Sequence, residues 1–173
     1  MIHLKIKSAQ LNRARTLYDT DFKNSLKKNA RSITRGGSCL YGAMGEILIG
    51  DYYKKYCEYD NTLNYDLIIK GKTVEVKSKR TTVEPQPYYF ASIADPSRKQ
   101  DSSKQQKCDY YCFLRVKADF TEAWILGWIT PLEFFKKAIY YQKGETDPSS
   151  KFNWKFKENC WNLPISELHL IDK

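Results

Sequence analysis

The sequence predicts an α/β (α+β) chain with a central mixed β-sheet flanked by helices. Helix-like periodicity fills the first third and returns after residue 130, while the middle is a succession of short strand-like runs rich in aromatic and β-branched residues. Of the 173 residues, 42% are hydrophobic and 14% aromatic, which supports a packed core and excludes a disordered chain.

His3 to Lys7 fits a short strand or an extended arm. From Ser8 to Asn29, Leu11, Ala14, Leu17, Phe22 and Leu26 recur at a loose helical spacing, with a break expected near Asp19 to Asp21. Ser38 is placed to cap a helix over Cys39 to Cys57, whose apolar face is Leu40, Ala43, Met44, Ile47 and Leu48. Gly42, Gly45 and Gly50 weaken this helix by about 1 kcal/mol each but allow close packing on a sheet. Asn64 to Ile69 and Thr73 to Lys79 read as strands joined by a tight turn at Lys70-Gly71. Tyr88 to Ile93, Asp109 to Lys117 and Glu122 to Ile129 are further strands, and Trp124 and Trp128 share one face if the last is regular. Asp95 to Lys107 reads as a basic loop or short helix. Thr130 caps a helix that Pro131 opens and that runs to Tyr141, and a short helix is expected after Pro164.

Lys and Arg number 29 against 20 Asp and Glu, a formal charge of +9, which favours a polyanionic partner. Apolar stretches such as Ala123 to Ile129 fall far short of the roughly 20 residues of a membrane span, and the first ten residues lack the pattern of a secretory signal. A cytoplasmic protein is therefore expected. The five cysteines (Cys39, Cys57, Cys108, Cys112 and Cys160) form no CxxC pair, and the only histidines, His3 and His169, lie near opposite ends. Reduced thiols fit this pattern better than a zinc site or a disulfide framework.

The chemistry-bearing stretch is Tyr65 to Lys77. If Lys70-Gly71 is a two-residue turn, Ile69 faces Lys72, and the same register carried back puts Asp66 opposite Glu75. Lys77, two residues on, projects to the same face. Two opposed carboxylates repel unless a cation lies between them, and Mg²⁺ suits one or two carboxylates plus substrate phosphate and water. The Val76 backbone carbonyl supplies a further oxygen, and Lys77 can orient the attacking water or balance developing charge. The same charges also fit an ordinary surface hairpin, and Glu46 a surface position on an amphipathic helix.

At these residues the chain resembles the PD-(D/E)XK nuclease superfamily: Asp66, a gap of eight residues, then Glu75-Val76-Lys77, with the segment Gly45-Glu46-Ile47 on the preceding helix. Tyr65 stands where the name motif has proline. The resemblance spans roughly Ser38 to Ile129. It implies a restriction-endonuclease-like core and leaves the N-terminal helix region and the C-terminal third unassigned; residues 1–173 are expected to form one nuclease domain. The core is about 38–129, with an N-terminal helical region at 8–35 and a C-terminal helical extension at 130–173. It further implies catalytic roles for Glu46, Asp66, Glu75 and Lys77. The metal would be held by Asp66, Glu75, the Val76 carbonyl and Glu46, the last directly or through water. The implied activity is hydrolysis of DNA phosphodiester bonds by an endonuclease using Mg²⁺, with Mn²⁺ able to substitute, acting as a homodimer or in a larger nucleoprotein assembly. A resolvase of Holliday junctions or branched DNA is the alternative within this class. A non-catalytic basic nucleic-acid-binding protein on the same scaffold is the alternative outside it. DNA contacts are expected from Lys79, Arg80, Arg98, Lys104 and Lys107.

Overall fold

A computed structural model of the protein describes residues 1–22, 39–54, 57–59, 65–95, 107–148, 150 and 153–170. Its elements run β1 (Ile2–Lys5), α1 (Ser8–Leu17), one π-helical turn (Tyr18–Phe22), α2 (Cys39–Tyr52), β2 (Cys57–Tyr59), β3 (Leu67–Ile69), β4 (Lys72–Thr81), β5 (Phe90–Ala94), β6 (Tyr110–Lys117), β7 (Glu122–Ile129), α3 (Pro131–Lys137), β8 (Ile139–Tyr141) and β9 (Cys160–Pro164). Six strands form a mixed sheet in the order β1-β7-β6-β4-β3-β2, and β5-β9-β8 form a second, three-stranded sheet. Only the β4–β6 pair is parallel among these pairings. The predicted mixed sheet and α+β class are therefore observed. The ambiguous N-terminal segment is a strand, because β1 completes the β7 edge in antiparallel register from Ile2↔Ile125 to Lys5↔Glu122.

The two faces of the large sheet bury different things. Alternate residues Val74 and Val76 of β4, with Leu67 and Ile69 of β3 and Cys112, Leu114 and Val116 of β6, meet Ala43, Met44, Ile47 and Leu48 of α2 and Ala14 of α1. Residues of opposite parity, Tyr111 and Phe113 of β6, face Ala91 and Ile93 of β5, Phe134 of α3 and Leu163 of β9. Glu75, Lys77 and Lys79 lie in register with Tyr111, Phe113 and Arg115, so they share the face that looks toward the second sheet.

Helix α2 sits close because Gly45 has no side chain. A Cβ there would lie 1.7 Å from Ser78 Oγ and 3.2 Å from Val76 Cγ1. This is the close approach anticipated for the glycine-rich helix. The tight turn also forms as anticipated: Lys70 and Gly71 adopt φ of 52° and 73°, the twist that a two-residue hairpin demands. Thr130 Oγ1 accepts the Glu133 N–H at 3.2 Å and Pro131 opens α3, as its sequence dictates.

Three expectations are corrected. Helix α3 ends at Lys137 rather than Tyr141. The expected C-terminal helical extension (130–173) is instead that one short helix followed by β8, β9 and a single 3₁₀ turn at Ile165–Glu167. In β9, Leu163 is buried among β5 and α3 side chains and Trp161, on the same face, packs at their margin, while β5 pairs with β9 rather than with the large sheet. The two tryptophans of β7 do not share a face. The β6–β7 register shifts between Phe113 and Leu114, a β-bulge that turns Trp124 toward β5 and Trp128 toward α2. The expected Ser38 cap and residues 23–35 of the expected N-terminal helical region lie outside the described residues.

The bulge leaves Leu126 without a partner on β6, next to Gly127, whose φ is +152° and whose absent Cβ would lie 2.5 Å from the His169 carbonyl oxygen. That oxygen accepts the Trp128 N–H at 3.0 Å, so the C-terminal segment crosses β7 there. Gly127→Ala should lower stability by about 2 kcal/mol through backbone strain and a backbone clash. A chemical-denaturation midpoint equal to that of the unsubstituted protein would show that the crossing can move aside.

Candidate active site

The β3–β4 ladder sets the geometry. It pairs Ile69↔Lys72 and Leu67↔Val74 as the hairpin register predicts, then stops one pair short of Asp66 and Glu75. Asp66 lies just before β3, and its N–H donates to the Val74 carbonyl at 3.0 Å. Where β3 no longer reaches, the Val76 N–H would be left without a strand partner. The Asp66 carboxylate takes its place, Oδ2 accepting that N–H at 2.7 Å. The carboxylate is thus held against the β4 backbone at the end of the ladder. Its Oδ1 accepts no hydrogen bond among the described residues.

Glu75 points to the face beneath the second sheet and is 5% exposed. Its Oε1 accepts a bond from Lys77 Nζ at 2.6 Å. A residue and the one two positions on share a strand face, so the Glu-x-Lys spacing suffices to make this pair. Burial, and then the Glu75 charge, push the Asp66 carboxyl up to about 7, against the opposing pull of Lys77 and the Val76 N–H. Asp66, Glu75 and Lys77 therefore form one electrostatic unit.

Two further side chains belong to it. Burial pushes the Cys108 thiol up to about 12, and the Glu75 and Asp66 charges push in the same direction. Tyr111, in register with Glu75, is raised by burial and by its neighbours Cys108 and Glu75. Both are neutral walls to the carboxylates. Cys108 is brought there by Asp109, whose Oδ2 accepts from the Thr73 N–H at 2.9 Å and from Thr73 Oγ1 at 3.0 Å, tying the start of β6 to β4. Cys108 had no motif to mark it, and only the parallel β4–β6 register brings it into place.

Glu46 is carried by α2 rather than by the hairpin. It is half-buried on α2, which covers the opposite face, one residue after the Gly45–Ser78 contact. Among the described residues no three His, Cys, Asp or Glu side chains surround a common point. A metal would rest on the Asp66 and Glu75 carboxylates of this unit. The donor set fits a hard divalent ion: two acidic side chains, one just before β3 and one on β4, mutually repelling, with one Asp66 oxygen uncommitted among the described residues.

The expected DNA contacts are dispersed. Lys79 lies on the Glu75–Lys77 face and Arg80 on the opposite one, because they are adjacent on β4. Lys107 is exposed at the approach to β6. Arg98 and Lys104 fall outside the described residues.

No protein-family model matches the chain, and no curated protein matches it.

Proposed function

We propose that the protein is a Mg²⁺-dependent deoxyribonuclease, an endonuclease of the PD-(D/E)XK type on a restriction-endonuclease-like core. The observation that carries this reading is the Asp66–Glu75–Lys77 unit. It comprises two carboxylates at the end of a β-ladder, one held by a backbone N–H at 2.7 Å, the other paired with a lysine at 2.6 Å. The position of α2 ahead of the hairpin and the net charge of +9 support it. Asp66 Oδ1 and the Glu75 carboxylate would hold the ion. A bound Mg²⁺ supplies Lewis acidity toward the scissile phosphodiester and acidifies its own water. Lys77 Nζ, anchored on Glu75, orients the attacking water and offsets the negative charge that develops on the phosphate. Tyr111 and Cys108 keep one side of the site apolar, which strengthens those interactions.

Incubation with supercoiled plasmid, single strands and a four-way junction, each with Mg²⁺ or EDTA, tests the proposal. Cleavage that needs the ion is expected. Tight binding without cleavage under every condition would favour the non-catalytic binding protein, and preference for the junction would favour a resolvase.

Lys77→Ala separates the two roles in the unit. Cleavage should fall by about 10²-fold or more, the usual cost of removing a positioned catalytic group, while calorimetry should still detect Mn²⁺ binding. Loss of Mn²⁺ affinity on the scale of an Asp66 variant would make the lysine a support for the carboxylates and nothing more.

A further inference from the structure

Farther along the same face of β4, two cations stand side by side. Lys79 is in register with Arg115 on the adjacent parallel strand. Arg115 is 7% exposed, yet its bond among the described residues runs from Nη2 to the Phe90 carbonyl at 2.6 Å, between the two sheets. Neither cation lies within ion-pair distance of a carboxylate among the described residues. Asp147 is near enough to be felt by both, without pairing with either. Burial lowers Arg115 to about 10. Desolvation of its ammonium and the Arg115 charge lower Lys79 to about 8, although part of the lysine side chain stays exposed. Like charges directly opposed on neighbouring strands are destabilising, and a buried guanidinium without a carboxylate is costly. An anion that enters from solvent removes both penalties, and a guanidinium takes a phosphate bidentately.

Against Lys79 lies an aromatic that the core does not use. Trp154 is 40% exposed, and Lys79 Nζ sits 5.8 Å from its ring centroid. The indole rests edge-on against Phe156 (5.5 Å, 80°), which stacks on Tyr141 (4.6 Å, 18°), so it is held from within the second sheet. Its backbone is fixed too, its carbonyl accepting the Asp147 N–H at 2.7 Å. A rigid exposed indole next to cations is the arrangement that stacks an unpaired base while the charges hold its phosphate.

We propose that Arg115, Lys79 and Trp154 form a binding site for one unpaired nucleotide of a nucleic-acid strand, with the cations on its phosphate and the indole on its base. Lys79 is two residues from Lys77 on the same face, roughly 6.6 Å along β4, so the nucleotide lies beside the proposed cleavage site. The inference rests on the nucleic-acid reading above but not on catalysis.

The test is anisotropy of fluorescein-labelled (dT)₈ with the full chain in EDTA, where no cleavage occurs. Trp154→Ala and Lys79→Ala should each weaken binding by about fivefold or more, with melting temperatures no lower than that of the unsubstituted protein. An octamer of abasic deoxyribose phosphate should be bound equally by the Trp154→Ala variant and the unsubstituted protein. Arg115→Lys should also weaken (dT)₈ binding, and because Arg115 is buried, the two surface variants keep the test valid if it fails to fold. Unchanged (dT)₈ affinity in both surface variants overturns the proposal. So does displacement by polyglutamate as effective as by unlabelled (dT)₈, which would mark the site as a dock for an acidic peptide. Intact (dT)₈ binding in a protein that never cleaves would refute only the nuclease reading. Cleavage by a protein whose binding ignores Trp154 and Lys79 would refute only this one.

Discussion

Glu75→Gln should abolish plasmid nicking in Mg²⁺ while leaving the protein folded. The substitution keeps the volume of a side chain that is 5% exposed and leaves an amide oxygen to accept the Lys77 Nζ bond now made at 2.6 Å. What it removes is one negative charge from a two-carboxylate donor set. Metal assistance contributes several kcal/mol of transition-state stabilisation, so the rate should fall by about 10³-fold or more. Far-ultraviolet circular dichroism and the melting temperature should remain close to those of the unsubstituted protein, because the hydrophobic contacts of Tyr111 and Phe113 on the same face are untouched. Full nicking by the purified variant would remove Glu75 from the chemistry and with it the proposed site. Glu46→Gln is the natural comparison. Glu46 is carried by α2 rather than by the hairpin, and if it reaches the ion through water its loss should cost less than that of Glu75 under identical conditions.

The parts of this molecule that could be read from its sequence are those governed by local rules. Lys70-Gly71 can adopt positive φ at little cost, so the hairpin and its register follow from two residues. Period-two spacing then puts Glu75 and Lys77 on one face whatever the rest of the chain does. Gly45 could be recognised as a contact point from the helix pattern alone, though Ser78 as its partner could not. Features that depend on distant segments were hidden. The bulge next to Gly127 answers to the C-terminal segment crossing β7 at His169, and it alone sends Trp124 and Trp128 to opposite faces. β5 pairs with β9 across a long separation, and nothing in Phe90 to Ala94 distinguishes a strand of the first sheet from one of the second. Asp66 shows the boundary between the two cases. The alternation that put it opposite Glu75 is correct to Leu67, after which a side chain replaces the strand as partner for Val76. The result is still a carboxylate beside Glu75, reached by a different bond.

Asp66→Asn should stabilise the metal-free protein, and the gain should depend on pH in a defined direction. The Asp66 carboxyl is raised to about 7 in the folded protein, from about 3.9 in an unfolded chain. Between those values the folded state holds a proton that the unfolded state has lost, so stability declines as pH rises through this window. Below about pH 4 both states are protonated and Asp66 carries no penalty. Above about pH 7 the penalty is complete and of order 2 to 4 kcal/mol, since a tenfold change in proton affinity is worth about 1.4 kcal/mol and the carboxylate is only partly shielded. Asparagine is neutral throughout and retains an oxygen for the Val76 N–H. In EDTA the Asp66→Asn variant should therefore melt on the order of 5–10 °C above the unsubstituted protein at pH 8, with the difference shrinking toward pH 5. Mg²⁺ should close the gap from the other side. An ion that binds only the folded state at about 100 times its dissociation constant adds about 2.7 kcal/mol, and the variant, lacking the charge, should gain much less. Differential scanning calorimetry at pH 5, 6.5 and 8, with and without Mg²⁺, measures all of this. If Asp66→Asn melts below the unsubstituted protein at pH 8 in EDTA, Asp66 is a structural anchor for β4 whose charge the fold requires, and that charge carries no net penalty at this site.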